Sequence, residues 1–143
     1  MDLSTFIPES YVPDIDQRLS AYRRLAKMTD LKEISEFKEE ITDRYGPLPV
    51  ETTNLLLKIM LKVLSIKGGI RRLDLSGKNL SLYFSEIHQK NLFGIINIIE
   101  KDPGRYRFTP ENVLKIKLSS IGINALLAQT RNILKEIAHR VNV

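Results

Sequence analysis

Cysteine is absent from the 143-residue sequence. Without it the chain can form neither a disulfide framework nor a thiolate metal site, which fits a reducing compartment. No apolar run approaches the roughly 18 residues of a membrane span, and the N-terminus lacks the charged start and apolar stretch of a signal peptide. The sequence therefore predicts a soluble, cytoplasmic protein with no membrane partner.

Charge is divided unevenly along the chain, although the net charge is only +5. Residues 1–43 carry ten carboxylates against six Lys or Arg, a net of −4. Residues 44–143 carry sixteen basic against seven acidic side chains, a net of +9. A basic body of this kind is usually a solvated surface, but it also fits a nucleic-acid or other anionic partner.

The first residues predict an extended segment followed by a helix. Residues 1–13 contain two prolines and no period, which indicates an extended lead-in. Asp14 is a candidate cap for a first helix that runs to about Met28. Its helically spaced apolar residues are Ile15, Leu19, Tyr22 and Leu25.

Two more helices follow, each with recognisable ends. Asp30, with Glu33 three residues later, approximates a capping box and begins the second helix. Gly46 ends this helix, and Pro49 suits the first turn of the third helix, which ends at Gly68 and Gly69. The apolar stripe of the second helix is Leu31, Ile34, Phe37, Ile41 and Tyr45.

The pattern then changes to a period of two, which predicts strands. Two hairpins are indicated, one around Gly77-Lys78-Asn79 and one around Thr109–Asn112, with the apolar helix NLFGIINIIEK between them. A last amphipathic helix runs from about Ile123 to Val141. The predicted class is α+β: helices in the N-terminal half, an antiparallel sheet of two hairpins with an intervening helix, and a closing C-terminal helix. We expect one domain over residues 14–143, most simply a monomer.

Catalytic motifs are missing. Gly77-Lys78 has Arg72 where a P-loop needs its first glycine and Asn79 where it needs a hydroxyl. His88 and His139 lie on separate elements, so a metal site is not expected, and no Gly-x-Ser-x-Gly elbow is present. We predict no cofactor and no enzymatic activity in this chain, leaving a scattered hydrolase triad as an alternative.

Two charged surfaces are candidate binding sites. On the second helix, spacings of three and four place four carboxylates along one flank. They are Glu33, Glu36, Glu40 and Asp43. Salt bridges to Arg44 or to the first helix, or ordinary solubility, would explain them, and so would docking of a partner's arginines.

The second surface is the outer face of the later hairpin. Its cations alternate outward: Arg105, Arg107, Lys115 and Lys117. Arg71 and Arg72 are expected near them. The face could contact nucleic-acid phosphates, but Tyr106 and Phe108 alternate to the opposite side, where they cannot stack on bases beside the cations. A merely solvated face is the alternative.

Several stretches together resemble the carboxy-terminal domain of bacterial transcription-repair coupling factors, the Mfd family. They are FIPESYVPDIDQRLSAYRRLA, EEITDRYGPLP, the third helix into GIRRLDL, and PGRYRF. The first two are specific, because the proline-spaced lead-in and Asp-Arg-Tyr-Gly-x-Leu-Pro rarely occur together by chance. The resemblance covers most of the chain and follows the family's order of elements.

The resemblance implies a non-catalytic regulatory domain of a larger, ATP-driven DNA translocase that acts on stalled RNA polymerase in nucleotide-excision repair. In that family the domain docks on an amino-terminal UvrB-like module of the same protein, masks its UvrA-binding surface and restrains the motor. The acidic interface positions of the family match Glu40 and Asp43 in this sequence. The match is weaker at Glu36 and Glu33. RNA polymerase and DNA would be contacted through the parent protein only. A stand-alone nucleic-acid-binding domain that uses the basic face is the alternative.

Overall fold

The computed structural model describes residues 4–85 and 92–141. These residues form five α-helices and one four-stranded antiparallel sheet, so the predicted α+β class is confirmed. In chain order the elements are α1 (Ile15–Ala26), α2 (Leu31–Tyr45), α3 (Val50–Lys67), β1 (Ile70–Ser76), β2 (Asn79–Phe84), α4 (Leu92–Lys101), β3 (Tyr106–Phe108), β4 (Val113–Lys117) and α5 (Ile123–Val141).

The chain divides into two compact units, with the boundary inside α3. The helical unit is Asp2–Val63 and the sheet unit is Leu64–Val143. The sequence-based assignment, a lead-in of residues 1–13 and one domain over 14–143, stays a prediction.

The core of the helical unit forms around the apolar stripe of α2. Ile34, Phe37 and Ile41 are buried, as their spacing predicts, in one cluster with Leu25 of α1 and Leu56 of α3. Burying each such side chain contributes about 1.5–3 kcal/mol relative to leaving it exposed. The packing of α2 therefore fixes which of its faces remains in solvent.

The buried face of α1 differs from the one that its apolar spacing predicts. Ala21 and Leu25 are buried, whereas Ile15 and Leu19 are 60% and 44% exposed. The buried face lies roughly a quarter-turn from the predicted stripe. Periodicity counts apolar residues on one helix but does not say what covers them, and here lead-in residues complete the core.

The lead-in is packed and contains a turn. Ile7 and Val12 are buried, and the backbone N–H groups of Tyr11 and Val12 both donate to the Pro8 carbonyl at 3.0 Å. The Ile7 N–H donates to the Tyr22 hydroxyl at 2.6 Å. The segment is therefore not extended throughout, because its apolar side chains are needed in the core.

The sheet unit contains the four strands in the order β1-β2-β4-β3, with every neighbouring pair antiparallel. Gly77 adopts φ 57° in the turn between β1 and β2, a conformation that favours glycine. Asn79, expected in this turn, is instead the first residue of β2 and pairs with Ser76. Both predicted hairpins are otherwise present.

The inner face of the sheet is apolar, and its two central strands are the most deeply buried. Leu82 of β2 and Leu114 of β4 are Cα partners with no exposed surface. Helix α4 packs against α5 and contacts β3, and Leu134 and Ile137 of α5 are also fully buried. The opposite, outer face of the sheet carries the polar and charged side chains of the alternation.

Candidate functional site

Local signals in the sequence set both ends of α2. The Asp30 carboxylate accepts a hydrogen bond from the Lys32 N–H at 2.9 Å and caps the helix. Glu33 accepts from the Thr29 backbone N–H and hydroxyl at 3.2 and 3.3 Å. Because Glu33 is used at the helix start, the acidic flank available to a partner begins further along α2.

Four exposed carboxylates of α2 come together in one shallow depression of about 500 Å³. We call it the acidic surface, and it is lined by Glu36, Glu39, Glu40 and Asp43. Three of these four were singled out from the sequence. Glu39 was missed as a site residue, although its position three residues after Glu36 and four before Asp43 could have indicated it.

The four carboxylates differ in how fully they are already engaged. Glu40 forms an ion pair with Arg24 of α1 at 2.7 Å, and Glu36 approaches Lys32 at only 3.9 Å. Among the described residues, Glu39 and Asp43 have no ion-pair partner. Two carboxylates of the acidic surface are therefore free for a partner's cations.

Arg24 holds Glu40 in its charged form. The hydrogen bond from Arg24 and its charge lower the pKa of Glu40, with a smaller contribution from Arg44, against a small opposing effect of burial. Arg24 is itself held over the Phe37 ring, 5.1 Å from its centroid. The contact links the core, α1 and the acidic surface.

A small cavity between α1 and α2 lies beside this ion pair. Its volume is about 60 Å³, and Arg24, Glu40 and Arg44 are among its lining residues. Small-molecule sites usually enclose about 300–1,000 Å³. This cavity is about fivefold smaller than the lower end of that range and has room only for a few waters. It is not a ligand site of ordinary size.

Tyr11 of the lead-in fixes the C-terminal end of α2. Its hydroxyl donates to the Gly46 carbonyl at 2.7 Å and lies 3.2 Å from that of Ile41. Its ring lies 5.7 Å from the Tyr45 ring. Burial, and to a lesser extent the nearby Tyr45, raises the pKa of Tyr11. The hydroxyl therefore stays protonated and able to donate at neutral pH.

In the sheet unit, the predicted cations do lie together. A second depression, of about 580 Å³, is lined by Arg105, Arg107, Lys115 and Lys117. Arg107 and Lys115 are Cα partners across β3 and β4, and Lys115 is also the partner of Ser81 on β2. Arg105 is held by its Nε, which donates to the Lys117 carbonyl at 3.2 Å, and by Asp102 at 3.7 Å.

Three further residues extend this surface towards β1, and we call the whole the basic sheet face. Tyr83 alternates with buried Leu82 and so lies on the outer side. The strand register shifts between Ile70 and Arg72, and the guanidinium carbons of Arg71 and Arg72 lie 5.7 and 5.0 Å from the centroid of the Tyr83 ring. Sequence reasoning placed both arginines near the face but overlooked the tyrosine, which the period of two in β2 could have indicated.

In residues 4–85 and 92–141, no three His, Asp or Glu side chains are arranged as metal ligands. His139 is exposed on α5, and His88 lies outside the described residues. Among the described helices, none has the length and apolar character needed to cross a membrane. The charged surfaces are thus the features that suggest a function.

Comparison with known proteins identifies relatives of the chain. Residues 1–95 match the family model described as the TRCF domain. The transcription-repair-coupling factor of Escherichia coli is 33% identical over 113 residues, which are 79% of this chain and 10% of that protein. The Rickettsia bellii protein of the same name is 44% identical over 79 residues, 55% of this chain and 7% of its own length. The chain thus spans about a tenth or less of the length of these relatives.

A solved structure has the same fold. The crystal structure of the C-terminal domain of a transcription-repair coupling factor superimposes with a TM-score of 0.79, over 99% of this chain and 91% of that one. Sequence identity is 14%, so this likeness concerns the fold alone.

Proposed function

This chain belongs to the TRCF domain family, and on that premise we propose that it is a non-catalytic, autoinhibitory domain of a transcription-repair coupling factor. In this proposal it docks through the acidic surface on the UvrB-like module of the same protein. Docking masks the surface that binds UvrA and restrains the DNA translocase motor. The parent protein, in the bacterial cytoplasm, contacts RNA polymerase and DNA.

The observation that carries the proposal is the arrangement of free carboxylates on α2. Glu39 and Asp43 line one depression and have no ion-pair partner among the described residues. Carboxylates accept paired hydrogen bonds from guanidinium groups, so an arginine-rich surface is the complementary partner.

Local stability does not explain these side chains. Like charges three or four residues apart on a helix repel by about 0.2–0.5 kcal/mol per pair. An exposed carboxylate near the negative end of the helix dipole costs about 0.3–1 kcal/mol more, and Asp43 lies two residues before the end of α2. These carboxylates destabilise the helix that carries them, and a role in binding a partner accounts for their presence.

The test is a binding measurement between this chain and the separately produced UvrB-like module. The informative variant combines Glu39→Arg with Asp43→Arg, because it spares the Arg24–Glu40 ion pair. We expect its affinity to fall at least about tenfold, since two charges at the contact are reversed in sign. UvrA added to the wild-type complex should displace the chain.

The control variant combines Glu9→Arg with Glu111→Arg. Both residues are exposed, neither has an ion-pair partner in the described part of the chain, and the net charge changes by the same amount. This control should bind as the wild type does. Equal losses of affinity in the two variants would show that net charge alone causes the effect. Unchanged affinity in the α2 variant would show that the acidic surface is not part of the interface.

The alternative function, direct nucleic-acid binding, concerns the basic sheet face of the other compact unit. It uses no residue of the acidic surface. The two functions can therefore be separated by substitution.

A further inference from the structure

The outer face of the sheet combines cations with an aromatic ring. Six cations and Tyr83 lie on this side, whereas Tyr106 and Phe108 alternate to the other side with Leu114 and Ile116. The cations are Arg71, Arg72, Arg105, Arg107, Lys115 and Lys117. From the sequence, nucleic-acid binding was disfavoured because the aromatic residues of the hairpin lie on the side opposite the cations. Tyr83 provides an aromatic ring on the same side as the cations.

The register places these groups within reach of one short ligand. Tyr83 pairs with Val113, and Lys115 follows two residues later on the same face, so their Cβ atoms are diagonal neighbours about 7–8 Å apart. Arg107 is the partner of Lys115 on the far side. Phosphate contacts and a stacking contact are therefore available to successive nucleotides.

The charges on this face are only partly neutralised. Asp74 pairs with Arg72 at 3.0 Å, and Asp102 approaches Arg105 at 3.7 Å. In the described part of the chain, Arg107, Lys115 and Lys117 have no carboxylate partner. Between the two groups of cations lie Asn79 and Ser81, whose side chains can hydrogen-bond to base edges.

We propose that the basic sheet face is a binding site for single-stranded nucleic acid. Arg107, Lys115 and Lys117 contact the phosphates, and Tyr83 with its two arginines forms the surface on which a base stacks. Four strands about 4.8 Å apart make a face about 14 Å wide. That is broader than the roughly 12 Å major groove, so the face does not enter the groove of a duplex to contact its bases, whereas the bases of a single strand are free to stack. Four-stranded RNA-binding sheets stack two or three bases on their aromatic side chains, and Tyr83 provides a stack for one base here.

The site goes beyond the docking role of α2 and uses different side chains. It is tested on the whole chain by fluorescence anisotropy, with labelled oligodeoxythymidine and oligouridine of about 12 nucleotides as probes. We expect binding at about 50 mM salt that weakens steeply by about 200 mM. The two probes differ in the sugar 2′-hydroxyl and in the thymine methyl group, so a difference in affinity shows that one of these two groups contributes.

The phosphate contacts are tested by Arg107→Ala combined with Lys115→Ala. Affinity falls with salt along a negative slope of log affinity against log salt, and each lost phosphate contact on a single strand makes this slope shallower by about 0.7. We therefore expect the slope of the variant to be shallower by about 1.4. The matched control combines Lys58→Ala with Lys135→Ala, two exposed lysines of α3 and α5. It should leave affinity and slope as in the wild type.

The stacking contact is tested by Tyr83→Leu, with Tyr83→Phe as the conservative variant. Loss of one base–aromatic stack should weaken binding about tenfold with the salt slope unchanged, and phenylalanine should restore it. Polyglutamate serves as the competitor that offers charge without bases. The α2 variant Glu39→Arg with Asp43→Arg should still bind the oligonucleotides, which separates this site from the docking surface.

Three results would overturn the proposal. The first is no anisotropy change at low salt. The second is an equal loss in the sheet variant and its lysine control. The third is that polyglutamate competes as effectively as unlabelled oligonucleotide and that Tyr83→Leu has no effect on binding. That result would indicate that the face binds acidic proteins.

Discussion

The acidic surface lies within one helix, Leu31–Tyr45, whereas the basic sheet face takes its side chains from all four strands. In both, like charges are neighbours: Glu36 and Glu40 one helical turn apart, and Arg107 and Lys115 directly across a strand pair. Such neighbours destabilise a helix or a sheet by a few tenths of a kcal/mol. Each unit therefore carries a cluster that packing does not require.

The two clusters differ in what assembles them. Helical spacing alone groups the carboxylates, so the acidic surface exists wherever α2 is helical. The cations meet only if β3, β4 and β2 pair in the observed register, because a slip of one residue would turn every side chain to the other face. The following four predictions test this difference, from the largest effect to the smallest.

Replacing Leu114 by Ala should be the most damaging change to the basic sheet face. Leu114 is fully buried in a central strand, and truncation there leaves a cavity, so we expect the free energy of unfolding to fall by about 2–5 kcal/mol. Urea denaturation followed by circular dichroism measures it. Lys115→Ala, at the next position and on the outer face, should change stability by less than about 0.5 kcal/mol. Similar losses in the two variants would contradict the assigned register.

Replacing Gly46 by Ala should destabilise the end of α2 that borders the acidic surface. Gly46 has φ 94° and ψ −169°, a region nearly restricted to glycine, so the cost should be about 1–3 kcal/mol. Gly104→Ala is the control, because Gly104 lacks a positive φ and the nearest atom to an added Cβ is 3.9 Å away. Thermal denaturation of both variants compares them. Equal melting temperatures would contradict the role of this backbone conformation.

Replacing Tyr11 by Phe should cost about 1 kcal/mol at neutral pH, because the carbonyls of Gly46 and Ile41 lose their donor. The folded-state pKa of Tyr11 is raised above 10.0, so its contribution is complete below that pH and is lost as the pH rises through the folded pKa. Stability of the wild type should therefore fall more steeply at alkaline pH than that of the variant.

The control for Tyr11 is Tyr83→Phe in the sheet unit. The Tyr83 hydroxyl has no hydrogen-bond partner among the described residues, so this variant should keep the stability of the wild type at neutral pH. Partial burial, and to a lesser extent the nearby Glu136, also raise the pKa of Tyr106, and this accounts for any alkaline loss of stability that remains. Identical alkaline profiles of the wild type and Tyr11→Phe would exclude Tyr11 as a contributor.

Replacing Glu40 by Gln should have the smallest effect, below about 1 kcal/mol, because Arg24 and Glu40 are 49% and 60% exposed. Their ion pair lowers the folded-state pKa of Glu40 below 4.5, so its contribution is present above that pH and disappears as the pH falls through the folded pKa. Urea denaturation at about pH 7 and about pH 3 should show a smaller difference from the wild type at the lower pH. A difference of the same size at both pH values would contradict the ion pair as its source.

Much of the fold could be predicted because its signals are local. Asp30 and Gly46 mark the ends of α2, and the observed limits of the last helix, Ile123 and Val141, are the predicted ones. The alternation in the later hairpin also placed its four cations correctly on the outer face. The buried face of α1 could not be predicted, because it depends on lead-in residues that pack against the helix.

The sequence by itself determined the helices, their ends and the spacing of the carboxylates on α2, because these depend on residues within a few positions of one another. Only the tertiary structure decided that Arg24 pairs with Glu40 and that Tyr83 lies with Arg71 and Arg72. Helix packing, side-chain rotamers and strand register set these contacts. They join residues from different elements, and no local pattern encodes them.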